Sequence, residues 1–245
     1  SEEGRLYRMY SDSFSYVYPY ENLKKLYAKT SVSELKHAAM EEAGVKTEFE
    51  TDNKKDAYVP LFARERQAGG TERGSAYHRI MELLELTAFK DIRDDEKIRE
   101  LIRTDIDGMI HTERLTVEQA KLVSINDIAG FLKKRTAERM ERAAEKGKLF
   151  REQPFVISIE ASRLDKDIPK GETIMIQGVI DVFWEEDGKM ILLDYKTDRV
   201  SGPDELIARY KTQMDHYAEA ITRIMGKEVS ERIIYSFSLG EEILC

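Results

Sequence analysis

Two aspartates and a lysine in the segment 174–196, IMIQGVIDVFWEEDGKMILLDYK, are the residues of this chain best placed to do chemistry together. Asp187-Gly188 suits the positive φ angles of a two-residue hairpin turn, and apolar or alternating residues flank it on both sides. With that turn Glu186 pairs with Lys189, and counting outward sets Asp181 across from Asp194 with both side chains on one face. Side chains two apart along a strand share a face, so Lys196 joins the two acids while Tyr195 points away. Opposed carboxylates on neighbouring strands stand ~5 Å apart and repel by about 3 kcal/mol at an effective dielectric of about 20. A folded sheet keeps such a pair when a cation or a shared proton relieves it, and a divalent metal is the expected relief.

Other elements must hold this hairpin in place. The spacing predicts a helix over 73–86 that sets Gly74, His78 and Glu82 on one face, a second over 94–104, and a long one from Val117 to Lys146 opened by a Thr116–Gln119 capping box. FVISIEAS reads as a strand, Pro203 opens a helix running to Met225 with Gln213 and Tyr217 one turn apart, and RIIYSFSL gives a final strand. Upstream, residues 1–46 read as a helical segment, with Ser31 and Glu34 as a capping box and Gly44 as its stop. Residues 47–72, with mixed charge, a proline and a Gly-Gly pair, read as a linker or mobile loop, and 73–245 as the domain that carries the hairpin. On the residues alone, His78 could be a structural histidine or a ligand, Glu82 an outer partner or an exposed acid, and Gln213 with Tyr217 an interior pair or part of a site. Tyr210, Lys211, His216 and Arg199 could add phosphate contacts or be ordinary surface residues, and the surface reading is the one expected.

Composition narrows the class. The 245 residues contain no run of apolar residues long enough to span a bilayer and no basic-then-apolar N-terminal leader, so no membrane partner is expected and a cytoplasmic location fits. One cysteine, Cys245, excludes internal disulfides and any four-cysteine metal or iron–sulfur site within the chain. A net charge of -8 argues against indiscriminate binding to nucleic acid, and the cation-rich stretch Lys133 to Arg151 is interleaved with glutamates, as on an ordinary solvated helix face. No phosphate-binding G-x-x-x-x-G-K-[ST] loop occurs, so an ATP site is not expected in this chain.

GSAYHRIMELLEL, REQPF (Glu152 to Phe155), QGVID (Gly178, Asp181), DYKT (Asp194, Lys196) and QMDHY occur in that order, with the D-x12-D-x-K spacing across the middle strands. Together they resemble the nuclease domain of the RecB-type helicase–nucleases, within the restriction-endonuclease-like PD-(D/E)XK nucleases, and most of all that of the AddA/RexA type of subunit. The resemblance implies an α/β restriction-endonuclease-like core, a mixed central β-sheet flanked by helices, with a helical N-terminal extension from the end of a helicase region. It implies that His78, Asp181, Asp194 and the backbone carbonyl of Tyr195 hold Mg²⁺, or Mn²⁺, which suits an imidazole ligand better. Lys196 would act on the transition state, and Gln213 and Tyr217 would touch the DNA phosphate or orient that lysine. The implied activity is hydrolysis of single-stranded DNA, of the strand ending 3′, by an exonuclease capable of internal cuts that processes double-strand breaks for recombinational repair. The implied partners are an AddB/RexB-type subunit, and the helicase region that shares the full-length polypeptide with this domain. The competing readings are a noncatalytic DNA-binding scaffold that kept the fold and a hydrolase of small phosphoesters.

Overall fold

In the computed structural model of the chain, which describes residues 29–31, 72–163, 166 and 170–245, Asp187 and Gly188 take φ angles of 51° and 79°, the left-handed pair of a tight hairpin turn. The strands on either side form as the turn dictates. After β1 (Lys29–Ser31) and β2 (Leu149–Glu160), β3 (Thr173–Glu186) runs antiparallel to β4 (Lys189–Lys196), with Glu186 paired to Lys189 and the ladder followed back to Val182 and Leu193. β4 pairs in parallel with β5 (Val229–Ser236), and β5 turns through Gly240 into antiparallel β6 (Glu241–Leu244). The sheet is therefore mixed, as expected. β4, KMILLDYK, is buried from Met190 onward because it has a strand on each edge and helices to cover it.

Six helices among the described residues surround these strands: α1 (Glu72–Leu83), α2 (Asp95–His111), α3 (Val117–Lys121), α4 (Ile125–Leu132), α5 (Arg135–Glu145) and α6 (Pro203–Met225). α2 is amphipathic, burying Ile98, Ile102, Ile106 and Met109, and Asp94 caps its start by accepting from the Lys97 N–H at 2.8 Å. α6 starts on Pro203 and ends on Gly226 at φ 65°, the left-handed stop that glycine provides. The core joins Tyr77 and Ile80 of α1, Ile102 of α2, Phe131 of α4 and Met140 of α5 to the sheet face that carries Val182, Trp184, Leu193, Tyr195, Ile233 and Tyr235. Each of these large side chains contributes about 1.5–3 kcal/mol through burial.

The helix expected from Val117 to Lys146 is three helices. The Thr116–Gln119 capping box forms, but Ser124 starts a second helix by accepting from the Asp127 N–H, and Tyr77 of α1 locks that break. Its hydroxyl accepts from the Ser124 N–H at 3.1 Å and donates to Asp127 at 2.5 Å. A third start, at α5, is met from across the chain by Glu242, which accepts from the Thr136 N–H at 3.2 Å. Three cations of this stretch are held in ion pairs: Lys133 with Asp95, Arg139 with Glu186 and Glu231, Lys148 with Glu185. β6 was not foreseen, and α1 ends at Leu83 before a 3₁₀ turn, Leu86–Phe89.

The chain divides into two compact units, Ser1–Thr30 with Ser158–Met175, and Ser31–Ile157 with Ile176–Cys245. In the first, the described residues include the 3₁₀ turn Ala161–Arg163, closed by a bond from the Ala161 N–H to the Glu172 carbonyl at 2.9 Å. Everything that bears on the candidate site lies in the second. Of the helical segment 1–46 only Lys29–Ser31 is described, as a strand, and the rest of it, like the 47–71 stretch, lies outside the described residues.

Candidate metal centre and active site

α1 carries His78 to the middle of β3, where its Nδ1 lies 3.2 Å from Asp181 Oδ2. The same oxygen accepts the Tyr195 backbone N–H at 2.9 Å, which ties Asp181 to β4 one step beyond the last ladder pair and beside Asp194. In an extended strand the N–H and C=O of one residue leave on the same side, so the Tyr195 carbonyl is directed to the Asp181 side as well. The Tyr195 ring points to the other face, edge-on to Phe131 with centroids 5.5 Å apart. Asp181, Asp194, Tyr195 and His78 are thus brought together as the sequence suggests.

Glu152 is the residue that sequence reasoning passed over. Arg151 fixes the end of α1 by donating to the Leu84 carbonyl at 2.7 Å, and Glu152, next in β2, takes a φ of 48°. That left-handed conformation costs a residue with a side chain about 1–2 kcal/mol, and such strain gathers at functional sites. Its carboxylate, an imidazole nitrogen of His78 and an Asp181 oxygen lie within 4.8 Å of one another, a spacing one metal ion can bridge. REQPF carried the signal, but the strand read there began at Phe155, and nothing in the spacing gives Glu152 its left-handed backbone.

Lys196 forms an ion pair with Asp194, and both are buried. Asp194 Oδ1 has no hydrogen-bond partner among the described residues. The Lys196 ammonium also lies 4.3 Å from the ring centroid of Tyr210, whose hydroxyl donates to Asp198 at 2.8 Å. Tyr210 and His216, expected at the surface, are buried on the inner side of α6, at 4% and 7% exposure. Gln213 and Tyr217 bond to each other at 2.7 Å, and Tyr217 meets the edge of Phe155 on β2. The aromatic residue that packs on Lys196 is therefore Tyr210, one turn before the expected pair reaches β2. Glu82 accepts from Arg79 on its own helix at 2.7 Å.

The charges follow from this packing. Burial pushes the Asp194 carboxyl up to about 6, with Lys196 opposing and Asp181 reinforcing the rise. Burial works against the Asp181 anion too, but His78, Lys196 and the Tyr195 N–H outweigh it and hold this carboxyl below its usual range. Burial disfavours the cations of His78 and Lys196, and in both the neighbouring aspartates prevail and raise the pKa. The cluster is acidic, partly dehydrated and short of positive charge.

That donor set fits a divalent cation: an imidazole, two or three carboxylates from separate elements, a strand carbonyl, and an orphaned buried oxygen on Asp194. A lysine beside acids from two adjoining strands, in a mixed sheet flanked by helices, is suited to metal-assisted hydrolysis. The chain belongs to the PD-(D/E)XK nuclease superfamily, whose family model matches residues 33–241. It is similar to the A-type subunit of the ATP-dependent helicase/nuclease of Thermoanaerobacter sp. (strain X514), 36% identical over 97% of this chain and 19% of that protein. The corresponding helicase/nuclease protein of Clostridium botulinum (strain Loch Maree / Type A3) is 35% identical over 94% of the chain and 17% of its own length. The chain spans about a fifth of the length of the curated relatives it matches. No helix of the described residues is long and apolar enough to cross a membrane.

Proposed function

We propose that this chain is the nuclease module of a helicase–nuclease, a divalent-metal-dependent deoxyribonuclease that hydrolyses single-stranded DNA, the strand ending 3′, during recombinational repair of double-strand breaks. It would work in the cytoplasm with an AddB/RexB-type partner, beside the helicase region of its own polypeptide. The observation that carries the reading is the buried Asp194–Lys196 pair set beside Asp181 and His78 in a chain of nuclease ancestry. A noncatalytic scaffold has no use for a second buried acid at that point, since like charges so placed only weaken the fold.

His78, Glu152, Asp181, Asp194 and the Tyr195 carbonyl would hold the ion, Mg²⁺ or Mn²⁺. When bound, the ion supplies Lewis acidity toward the phosphate and lowers the pKa of nearby water. Lys196, kept protonated by both aspartates, presents a cation where negative charge grows on the phosphoryl oxygens, and the Tyr210 ring limits where its ammonium can go. Asp181 holds its charge chiefly through His78, with Lys196 and the Tyr195 N–H adding to it, and because His78 and the N–H both meet Oδ2, its second oxygen can serve as a donor to the ion. Gln213 and Tyr217, bonded together, present a polar edge from α6 for a flanking phosphate.

The test is cleavage of labelled single-stranded DNA, blunt duplex and closed-circular single strands with Mg²⁺, Mn²⁺ or EDTA. Metal-dependent cutting of the single strand, slower on duplex, is expected, and cutting of circles reports internal cleavage. Absence of any cutting with either metal, or hydrolysis of nitrophenyl phosphate alone, overturns the reading.

A further inference from the structure

Beyond the acidic cluster, β2 and β3 leave a cavity of about 150 Å³ lined by Pro154, Phe155, Val156, Gln177 and Gly178. Gln177 is 5% exposed and its Nε2 has no hydrogen-bond partner among the described residues. Buried amides are nearly always paired, so one left unpaired in a cavity wall needs an explanation, and a ligand is one. The other walls are apolar. Val156 is 56% exposed, and Phe155 is backed edge-on by Tyr217 at 5.7 Å. One polar group in an apolar recess is how small-ligand sites are built.

Its position says which ligand. Gln177 and Asp181 alternate onto one face of β3, about 13 Å apart along the strand, and β2 supplies both Glu152 and the wall that begins at Pro154. Resting on the nuclease reading above, we propose that this recess seats one nucleobase of the DNA strand, a nucleotide or two from the bond that is cut. A cavity of about 150 Å³ is of a size known to admit a single benzene ring. Apolar side chains take the faces of any base, and the Gln177 amide, which both donates and accepts, can turn to meet the edge of whichever base arrives. Among the described residues no cation lines the recess, so a phosphate is not its occupant. The site would set the register in which the strand crosses the metal centre, with little preference for sequence.

The experiment moves one abasic site along a short labelled oligodeoxynucleotide and follows cleavage by the full chain. At a single position the abasic site should raise KM about tenfold with kcat unchanged. Gln177→Leu, which keeps the bulk, and Val156→Glu, on an exposed residue, should raise KM for the intact strand and flatten that profile. A uniform abasic profile with an active enzyme, or unchanged KM in both variants, overturns the base site and leaves the nuclease reading standing. If no strand is cut, the nuclease reading falls by itself. The base site is then decided by fluorescence anisotropy of the same oligonucleotides in EDTA: one weakened position supports it, and a flat scan overturns it.

Discussion

Replacing Asp194 by asparagine should make the metal-free protein more stable, and only above a certain pH. The Asp194 carboxyl rises from 3.8 to about 6 on folding, burial being the largest cause. At 1.36 kcal/mol per tenfold, that rise is worth about 3 kcal/mol. The sign follows from proton binding: between those two values the folded state holds the proton and the unfolded state does not. Stability is therefore full below about pH 4 and is lost as pH climbs through about 6. The attraction of Lys196 is already contained in the shifted value, so it is not subtracted again. An asparagine at this position would resemble the protonated acid at every pH. In EDTA, urea unfolding of the two proteins should agree near pH 3, differ by about 1 kcal/mol near pH 4.5 and diverge to about 3 kcal/mol in favour of Asp194→Asn at pH 7.5, or roughly 2–4 °C in Tm for each kcal/mol. Mn²⁺ at about a hundredfold over its Kd should then restore about 2.7 kcal/mol to the wild type and little to the variant, which should not cleave DNA. Parallel curves across that pH range would show that Lys196 fully neutralises Asp194, and the argument for a cation-seeking pair would fail.

Lys196→Met should lower kcat about a hundredfold or more while metal affinity holds, because its charge acts mainly on the transition state; equal losses in DNA affinity and rate would make it an anchoring residue. Tyr210→Phe, which loses only the bond to Asp198, should keep kcat within about threefold, whereas Tyr210→Leu, which also removes the ring beneath the ammonium, should lose about tenfold or more at unchanged Mn²⁺ affinity. Comparable rates in the two would mean that the ring does not place Lys196. Arg139→Ala should cost about 2 kcal/mol in denaturant unfolding, since its guanidinium joins Glu186 and Glu231 and lies 5.4 Å from the Trp184 ring centroid; activity per folded molecule should not change.

The hairpin was legible because two residues decided it. Asp187-Gly188 admits one tight turn, the turn fixes the register, and the register carries Asp181 to Asp194 and Lys196 with no further information. His78 was legible through the order of the surrounding motifs, not through its helix, where a lone histidine says little. What could not be read depends on contacts between distant segments. The break at Ser124 relies on a hydroxyl from Tyr77, and the start of α5 on a carboxylate from Glu242, so a window over residues 117–146 sees only unbroken helical spacing. Tyr210 looked like a surface residue because its burial follows from which side of α6 meets β4 and β5. Glu152 was hidden because it lies ahead of the strand read from Phe155, and its φ of 48° and its nearness to His78 and Asp181 follow from the folded backbone, not from any spacing in the sequence.

These missed contacts share a consequence for the chemistry. Candidate ligands come from α1, β2, β3 and β4, and charge repulsion among them would drive those elements apart if packing alone opposed it. Arg151 ties β2 to the carbonyl end of α1, and Tyr77 ties α1 to α4 through Ser124 and Asp127. The Tyr195 N–H ties β4 to Asp181 itself. Each tie uses a neutral group or a cation directed at a carbonyl or carboxylate, and none of them occupies the Asp194 carboxylate. The fold is thereby held by bonds that leave an Asp194 carboxylate oxygen unbonded, as a site that must take up a cation and a phosphate requires.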